Sequence, residues 1–164
     1  MIVKIPKFLA LTPKYQIYDE LWEDDGSCKI GSLPDWMNKN SHLKKTVIFD
    51  CAYFVCKRHK DDLWRFIYHV NEQVKNVDIS PYEVIEFEGG LYATATFIEN
   101  DQLATDLDEA ENVIIKWLES MSFVRDEERD VMENYPYADF DVIGEGLGYQ
   151  QKQCYIPIKF KESL

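Results

Sequence analysis

YEVIEFEGGLYATATFI, Tyr82 to Ile98, leads into a second legible segment, DLDEAENVIIKWLESM, Asp106 to Met121. The first alternates apolar and polar side chains as a strand does, and Gly89-Gly90 at its centre puts a bulge or sharp bend there. In the second, Asp106 followed by Glu109 resembles a capping box with Asp in the capping role. Leu107, Ala110, Ile114, Trp117, Leu118 and Met121 then share one helical stripe, so this helix lies on a sheet with Trp117 facing it. A long bent strand feeding an amphipathic helix is the unit from which the rest of the chain is read.

Downstream, Val131 to Tyr135 and Gln153 to Phe160 read as the last two strands. The loop between them, Gly144-Glu145-Gly146-Leu147-Gly148, matches neither the Walker pattern nor GxGxxG and is no phosphate cradle. Upstream, IVKIPKFLALT (2 to 12) reads as a strand interrupted by Pro6, which suits an edge or a bulge. Helical spacing recurs over Tyr15 to Trp22 and Pro34 to Asn40, on either side of Asp24-Asp25-Gly26-Ser27. TVIFDCAYFVC (46 to 56) and Trp64 to Val74 read as two strands of a hairpin joined by the polar turn Lys57 to Asp62.

Laid side by side, the halves repeat. Trp36-Met37 precedes Trp117-Leu118 by 81 positions, Ile5 precedes Phe87 by 82, VIFDCAYF from Val47 precedes VMENYPYADF from Val131 by 84, and Phe66-Ile67-Tyr68 precedes Cys154-Tyr155-Ile156 by 88. Each half, about 1–78 and 79–164, runs strand, helix, strand, strand. The expected class is α+β: one domain holding a tandem βαββ repeat with pseudo-twofold symmetry, an antiparallel sheet with both helices on one face, and a ligand cleft between the halves.

Charge narrows the function. Eighteen Lys and Arg stand against 30 Asp and Glu, a net charge of −12, which argues against a phosphate-tracking surface and hence against direct nucleic-acid binding. Residues 99–145 carry 15 acidic residues against Lys116, Arg125 and Arg129, so all of the excess lies there. Aromatics make up 14% of the chain, far from the composition of a disordered acidic tail. The start, Met1-Ile2-Val3-Lys4-Ile5-Pro6, lacks a basic n-region and a long apolar h-region, and no run of 18 apolar residues follows; a cytoplasmic protein with no membrane partner is expected. Cys28, Cys51, Cys56 and Cys154 form no CxxC and are expected as free thiols. His42, His59 and His69 have no ligand-like spacing, no GxSxG elbow occurs, and neither metal nor cofactor is expected.

One acid differs from its neighbours. Glu133 lies in the apolar and aromatic stretch VMENYPY, and on a strand it shares a face with Val131 and Tyr135. Inside an aromatic cleft it would act as counter-charge for a cationic ligand or as a general base. Tyr53, Tyr68, Tyr92, Tyr135 and Tyr155 all fall in predicted strands, too many for a dry core, and tyrosine or tryptophan faces give bulky organic cations flat contacts.

Those motifs, in their order, resemble the GyrI-like, effector-binding domain superfamily, which includes the ligand domains of AraC-type and MerR-type transcription regulators. The residues carrying the resemblance are Gly89-Gly90-Leu91-Tyr92-Ala93, Trp117-Leu118, Glu133-Asn134-Tyr135 and Ile156-Pro157-Ile158, over about residues 66 to 160. The resemblance implies a tandem βαββ fold with an aromatic cleft at the pseudo-twofold axis for hydrophobic, often cationic, drug-like molecules. It carries the family's cleft acid onto Glu133 with Tyr135 beside it; Tyr68, Trp117, Tyr92 and Tyr155 complete the expected wall, and from the poorly matched first half come Trp36, Tyr53 and Phe54. A stand-alone binding module for xenobiotic sensing or sequestration is the first implied function, because the chain leaves no room for a helix-turn-helix domain. A hydrolase of strained or activated electrophiles such as cyclopropanoid genotoxins, with Glu133 positioning or deprotonating a water, is the second. A protein inhibitor of DNA gyrase type, with a protein partner the sequence leaves open, is the third.

Overall fold

Proline and glycine divide both leading strands. In a computed structural model, which describes residues 1–21, 23, 29–46, 53–99, 107–134 and 146–161, the N-terminal run splits around Pro6 into β1 (Ile2–Ile5) and β2 (Phe8–Thr12), because proline has no N–H for a ladder. A short α1 (Leu33–Lys39) follows, started by Pro34 in its first turn. The hairpin is β3 (Tyr53–Arg58) and β4 (Leu63–His69), turned at Asp62 in the left-handed conformation, φ 60°. The strand expected to run to Val74 stops at His69: the Asn71 side chain accepts from Gln73 N and caps a 3-10 turn over Glu72–Asn76. Next come β5 (Glu83–Phe87) and β6 (Gly90–Glu99), divided at Gly89, φ 67°. Helix α2 spans Leu107–Leu118; its expected cap Asp106 lies outside the described residues. A three-residue β7 (Phe123–Arg125), not anticipated from sequence, precedes β8 (Val131–Asn134) and β9 (Gln150–Phe160).

The strands form one antiparallel, curled sheet in the order β1-β6-β9-β8-β3-β4-β2-β5, with β7 paired to the end of β9. The order reads the same from either edge when each half is exchanged for the other, and the registers repeat with it. A shift of 82 carries Ile5↔Gly90 into Phe8↔Phe87, and Val3↔Tyr92 into Ala10↔Ile85. Adding a shift of 88 for β4 carries Ala10↔His69 into Tyr92↔Pro157. For the central strands the register fixes a shift of 78, which carries Val55↔Phe66 into Glu133↔Cys154. This replaces the spacing of 84 taken from VIFDCAYF, of which residues 47–52 lie outside the described residues. Val55 and Glu133 pair directly and are each other's images, so the pseudo-twofold axis passes between them.

Both helices cover the same face. Leu33 and Met37 of α1 pack with Val55, Phe66 and Tyr68; Ala110, Ile114 and Leu118 of α2 pack with Val131, Cys154 and Ile156. Leu33 matches Ile114 and Met37 matches Leu118 at the shift of 81, and all four are buried. The other face, inside the curl, holds Ile5, Phe8, Phe54, Cys56, Ile67, Tyr92, Met132 and Tyr155, and neither α1 nor α2 packs on it. Burying each such large side chain stabilises the fold by about 1.5–3 kcal/mol. Among the described residues no helix is long and apolar enough to cross a membrane.

Candidate functional site

Alternation along β3, β4, β8 and β9 decides what gathers at the axis on the helix side. One cross-strand row reads Phe66, Val55, Glu133, Cys154; the next reads Trp64, Lys57, Val131; on the other side Tyr68 faces Tyr53. The Tyr53 and Tyr68 rings stack at 5.0 Å and 26°. Trp64 packs against both hydrophobic clusters and so bridges the two halves. The strip of sheet between α1 and α2, the candidate groove, thus has a stacked tyrosine pair at one end, Glu133 at its centre, and Lys57 with Trp64 at the other end.

Glu133 is only 8% exposed. Its charge is felt by Cys154 directly opposite: burial first, then the Glu133 carboxylate, push that thiol up to about 12, with Arg125 opposing. Cys154 is therefore a protonated packing residue and no nucleophile. On the flank of α2 nearest this row the guanidinium of Arg125 is hydrogen-bonded to Glu111, both nearly buried. At the far end, burial opposes the charge of Lys57, but hydrogen bonds to Asp108 (2.8 Å) and Asp62 (3.1 Å) outweigh it and hold the ammonium above its usual range. The same ammonium lies 5.6 Å from the Trp64 ring centroid.

Of the residues expected from sequence, the structure brings Glu133, Tyr53 and Tyr68 together. Tyr135 lies outside the described residues. Phe54, Tyr92 and Tyr155 are on the opposite face, packed inside the curl; the Tyr155 hydroxyl donates to Gln153 Oε1 at 2.5 Å. Trp117 does not face the sheet: it is 40% exposed, and the buried stripe of α2 is Ala110, Glu111, Ile114 and Leu118. At about 100° per residue Trp117 and Val113 lie opposite Asp108 and Glu111, and Asp108 is the residue that meets β3 across the half boundary. Trp117 is thus turned away from the axis. Its repeat partner Trp36 is half-buried, packed against the first-half core that includes Val55 and Tyr68 and edge-on to Tyr82 at 6.1 Å. Trp64 and Lys57 were not singled out from sequence, although strand parity groups them with Tyr68 and Tyr53.

Elsewhere two polar clusters are bound into the structure. Tyr15, whose hydroxyl donates to Asp130 (2.5 Å), is sandwiched between the guanidiniums of Arg58 (3.9 Å) and Arg65 (4.2 Å). Arg129 donates to Gly89 O, Leu91 O and Ile158 O while lying over Tyr92. A cavity of about 340 Å³ opens beside the β1–β2 break. Its wall includes Lys7, paired with Glu86 and Glu88, and Glu72, paired with Lys75. It contains no residue of the groove. Among the described residues no group of three or more His, Cys, Asp or Glu could hold a metal ion.

No protein-family model and no curated protein matches the chain. Solved structures do. EcmrR in its DNA complex matches with a TM-score of 0.66 at 13% identity over 98% of this chain, which spans 57% of the EcmrR chain. The isolated EcmrR C-terminal domain is spanned over 97% of its length, with a TM-score of 0.62 at 15% identity. A hydrolase from Listeria innocua matches at 0.58 and 14%, over 97% of this chain and 91% of that one. SAV2435 bound to tetraphenylphosphonium matches at 0.51 and 9%, over 97% and 93%. At such identities the likeness is one of architecture: with its mirrored strand order and its α1 and α2 on one face, the chain shares the fold of the EcmrR C-terminal domain.

Proposed function

We propose that the chain binds bulky hydrophobic cations in the groove between α1 and α2, in the manner of a xenobiotic-sensing or sequestering module. The observation that carries this reading is the nearly buried carboxylate of Glu133 on the pseudo-twofold axis, beside the stacked Tyr53–Tyr68 pair. A delocalised organic cation is weakly hydrated, so it can follow the carboxylate out of water and lay its apolar bulk on the tyrosine rings. The tetraphenylphosphonium carried by SAV2435, which shares the fold, is a ligand of that kind.

The test is a fluorescence titration with a planar cationic dye and a neutral analogue of the same shape. A hydrogen-bonded charge contact is worth about 1.5–3 kcal/mol, so Glu133→Gln should weaken the cationic dye by about ten- to hundredfold and spare the neutral one. Equal losses for both dyes would remove the charge role. Turnover is the second reading, favoured by the structural likeness to a hydrolase: Glu133 would then orient or deprotonate a water. Product from an activated electrophile beyond one equivalent, abolished in Glu133→Gln, supports it; stoichiometric capture supports binding.

A further inference from the structure

We infer that Lys57 sets the size of cation the groove accepts, an inference that rests on the binding function proposed above. Glu133 and Tyr68 are 8% and 3% exposed, so the groove is closed over its own centre. A ligand with several aryl arms reaches Glu133 only if α2 separates from the first-half strands. On the helix face, a side-chain bond that resists this separation runs from Lys57 Nζ, on β3, to Asp108 Oδ1, in the first turn of α2. Lys57 is well placed to hold. It stands two residues from Val55, the direct partner of Glu133; its side chain is 14% exposed, and its ammonium is steadied by Asp62 and by the Trp64 ring. Asp108 is 67% exposed, which keeps the tie weak enough to break on binding.

The tie predicts a response that simple charge does not. Lys57→Met keeps the stem over Trp64 and removes a positive charge; Asp108→Asn removes a negative charge at the other end of the same bond. A field effect on cation binding has opposite signs in these two variants, whereas release of α2 has the same sign. Titration with the series tetramethyl-, tetraethyl-, tetrabutyl- and tetraphenylphosphonium should show both variants binding the two largest cations about two- to fivefold tighter, with the smallest unchanged. Opposite signs in the two variants, or a change equal across the series, overturns the inference while leaving the binding function standing. Hydrogen exchange supplies a readout that needs no ligand: amides of α2 should exchange about two- to fivefold faster in both variants. Unchanged exchange in both overturns the inference even where the wild-type chain binds none of the four cations, an outcome that by itself counts against the proposed function.

Discussion

Replacing Gly90 by alanine tests the corner on which the second half is built. Gly90 has φ 124°, and a Cβ there would lie 2.2 Å from Arg129 Nη1 and 3.1 Å from its Cζ. A flexible arginine tip usually moves aside at little cost, but this one is fixed: Nη1 donates to Gly89 O, Nη2 to Leu91 O and Ile158 O, and Nε to Asp126, while the plane lies 4.8 Å over the Tyr92 ring. Forcing alanine into that backbone region costs about 1–3 kcal/mol. Each hydrogen bond the displaced guanidinium gives up adds about 1.5–3 kcal/mol. Losing one puts the total at about 2.5–6 kcal/mol, a large share of the 5–15 kcal/mol typical of a folded domain. Urea denaturation followed by tryptophan fluorescence reads it, with Gly146→Ala as control, since a Cβ at Gly146 meets nothing within 4 Å. The control should stay within about 0.5 kcal/mol of wild type. In an Arg129→Ala background the Gly90→Ala penalty should shrink toward the backbone cost alone. A Gly90→Ala midpoint matching the control would refute the reasoning, and an undiminished penalty in the double variant would locate the cost in the backbone and not in the guanidinium.

Two further outcomes follow from buried polar groups. Glu111→Gln leaves the Arg125 guanidinium nearly buried without its carboxylate and should cost about 3–5 kcal/mol in a chemical melt, most of it recovered by adding Arg125→Met; a loss below 1 kcal/mol would mean that solvent reaches the pair. Cys154 has its thiol raised from 9.0 to about 12. The unfolded chain therefore gives up this proton first, so the contribution to stability is complete below pH 9 and is lost as pH climbs toward 12. Cys154→Ala should flatten the alkaline limb of the stability profile between those limits, and iodoacetamide at pH 8 should leave Cys154 unmodified until the chain unfolds; rapid native modification, mapped by mass spectrometry, would contradict the burial.

Much of the fold was legible because it is written twice. The spacings of Ile5 to Phe87 and Phe66 to Cys154 are the shifts the registers obey, and Pro6 and Gly89-Gly90 announce the two strand breaks. The central spacing was misread because the likeness of VIFDCAYF to VMENYPYADF is one of composition, and alternating strands give good matches at several even shifts. The site was less legible, for separable reasons. Tyr53 and Phe54 are neighbours on one strand, so parity alone forbids both from facing the groove. That Tyr155 faces away from Glu133 follows only from pairing Glu133 with Cys154, a register no single segment contains. Trp117 sits at the border of the apolar stripe of α2, where helical periodicity leaves open which flank meets the neighbouring half. Lys57 reads in sequence as the start of a polar turn, and β7, within Phe123 to Asp130, is three residues among charges with no strand signature.

The symmetry that supports the groove is broken by its chemistry. Under the register shifts Tyr53 corresponds to Val131, Phe66 to Cys154, Tyr68 to Ile156 and Trp64 to Lys152, so at these four positions around the axis the rings belong to the first half and non-aromatic side chains stand in their places in the second. On the axis itself Glu133 faces Val55. Two carboxylates there would be cross-strand neighbours about 5 Å apart, and their repulsion would favour protonation of one of them; a single one has no such like-charge neighbour across the axis. On the binding reading, a ligand in such a groove has one orientation: cation toward Glu133 on the second-half side, apolar body over Tyr53 and Tyr68 on the first. The helices need no such asymmetry, since their task is to seal the sheet, and there the repeat is retained, Leu33 with Ile114 and Met37 with Leu118. The two halves thus diverge along the strand rows that line the groove and stay alike under the helices that close it.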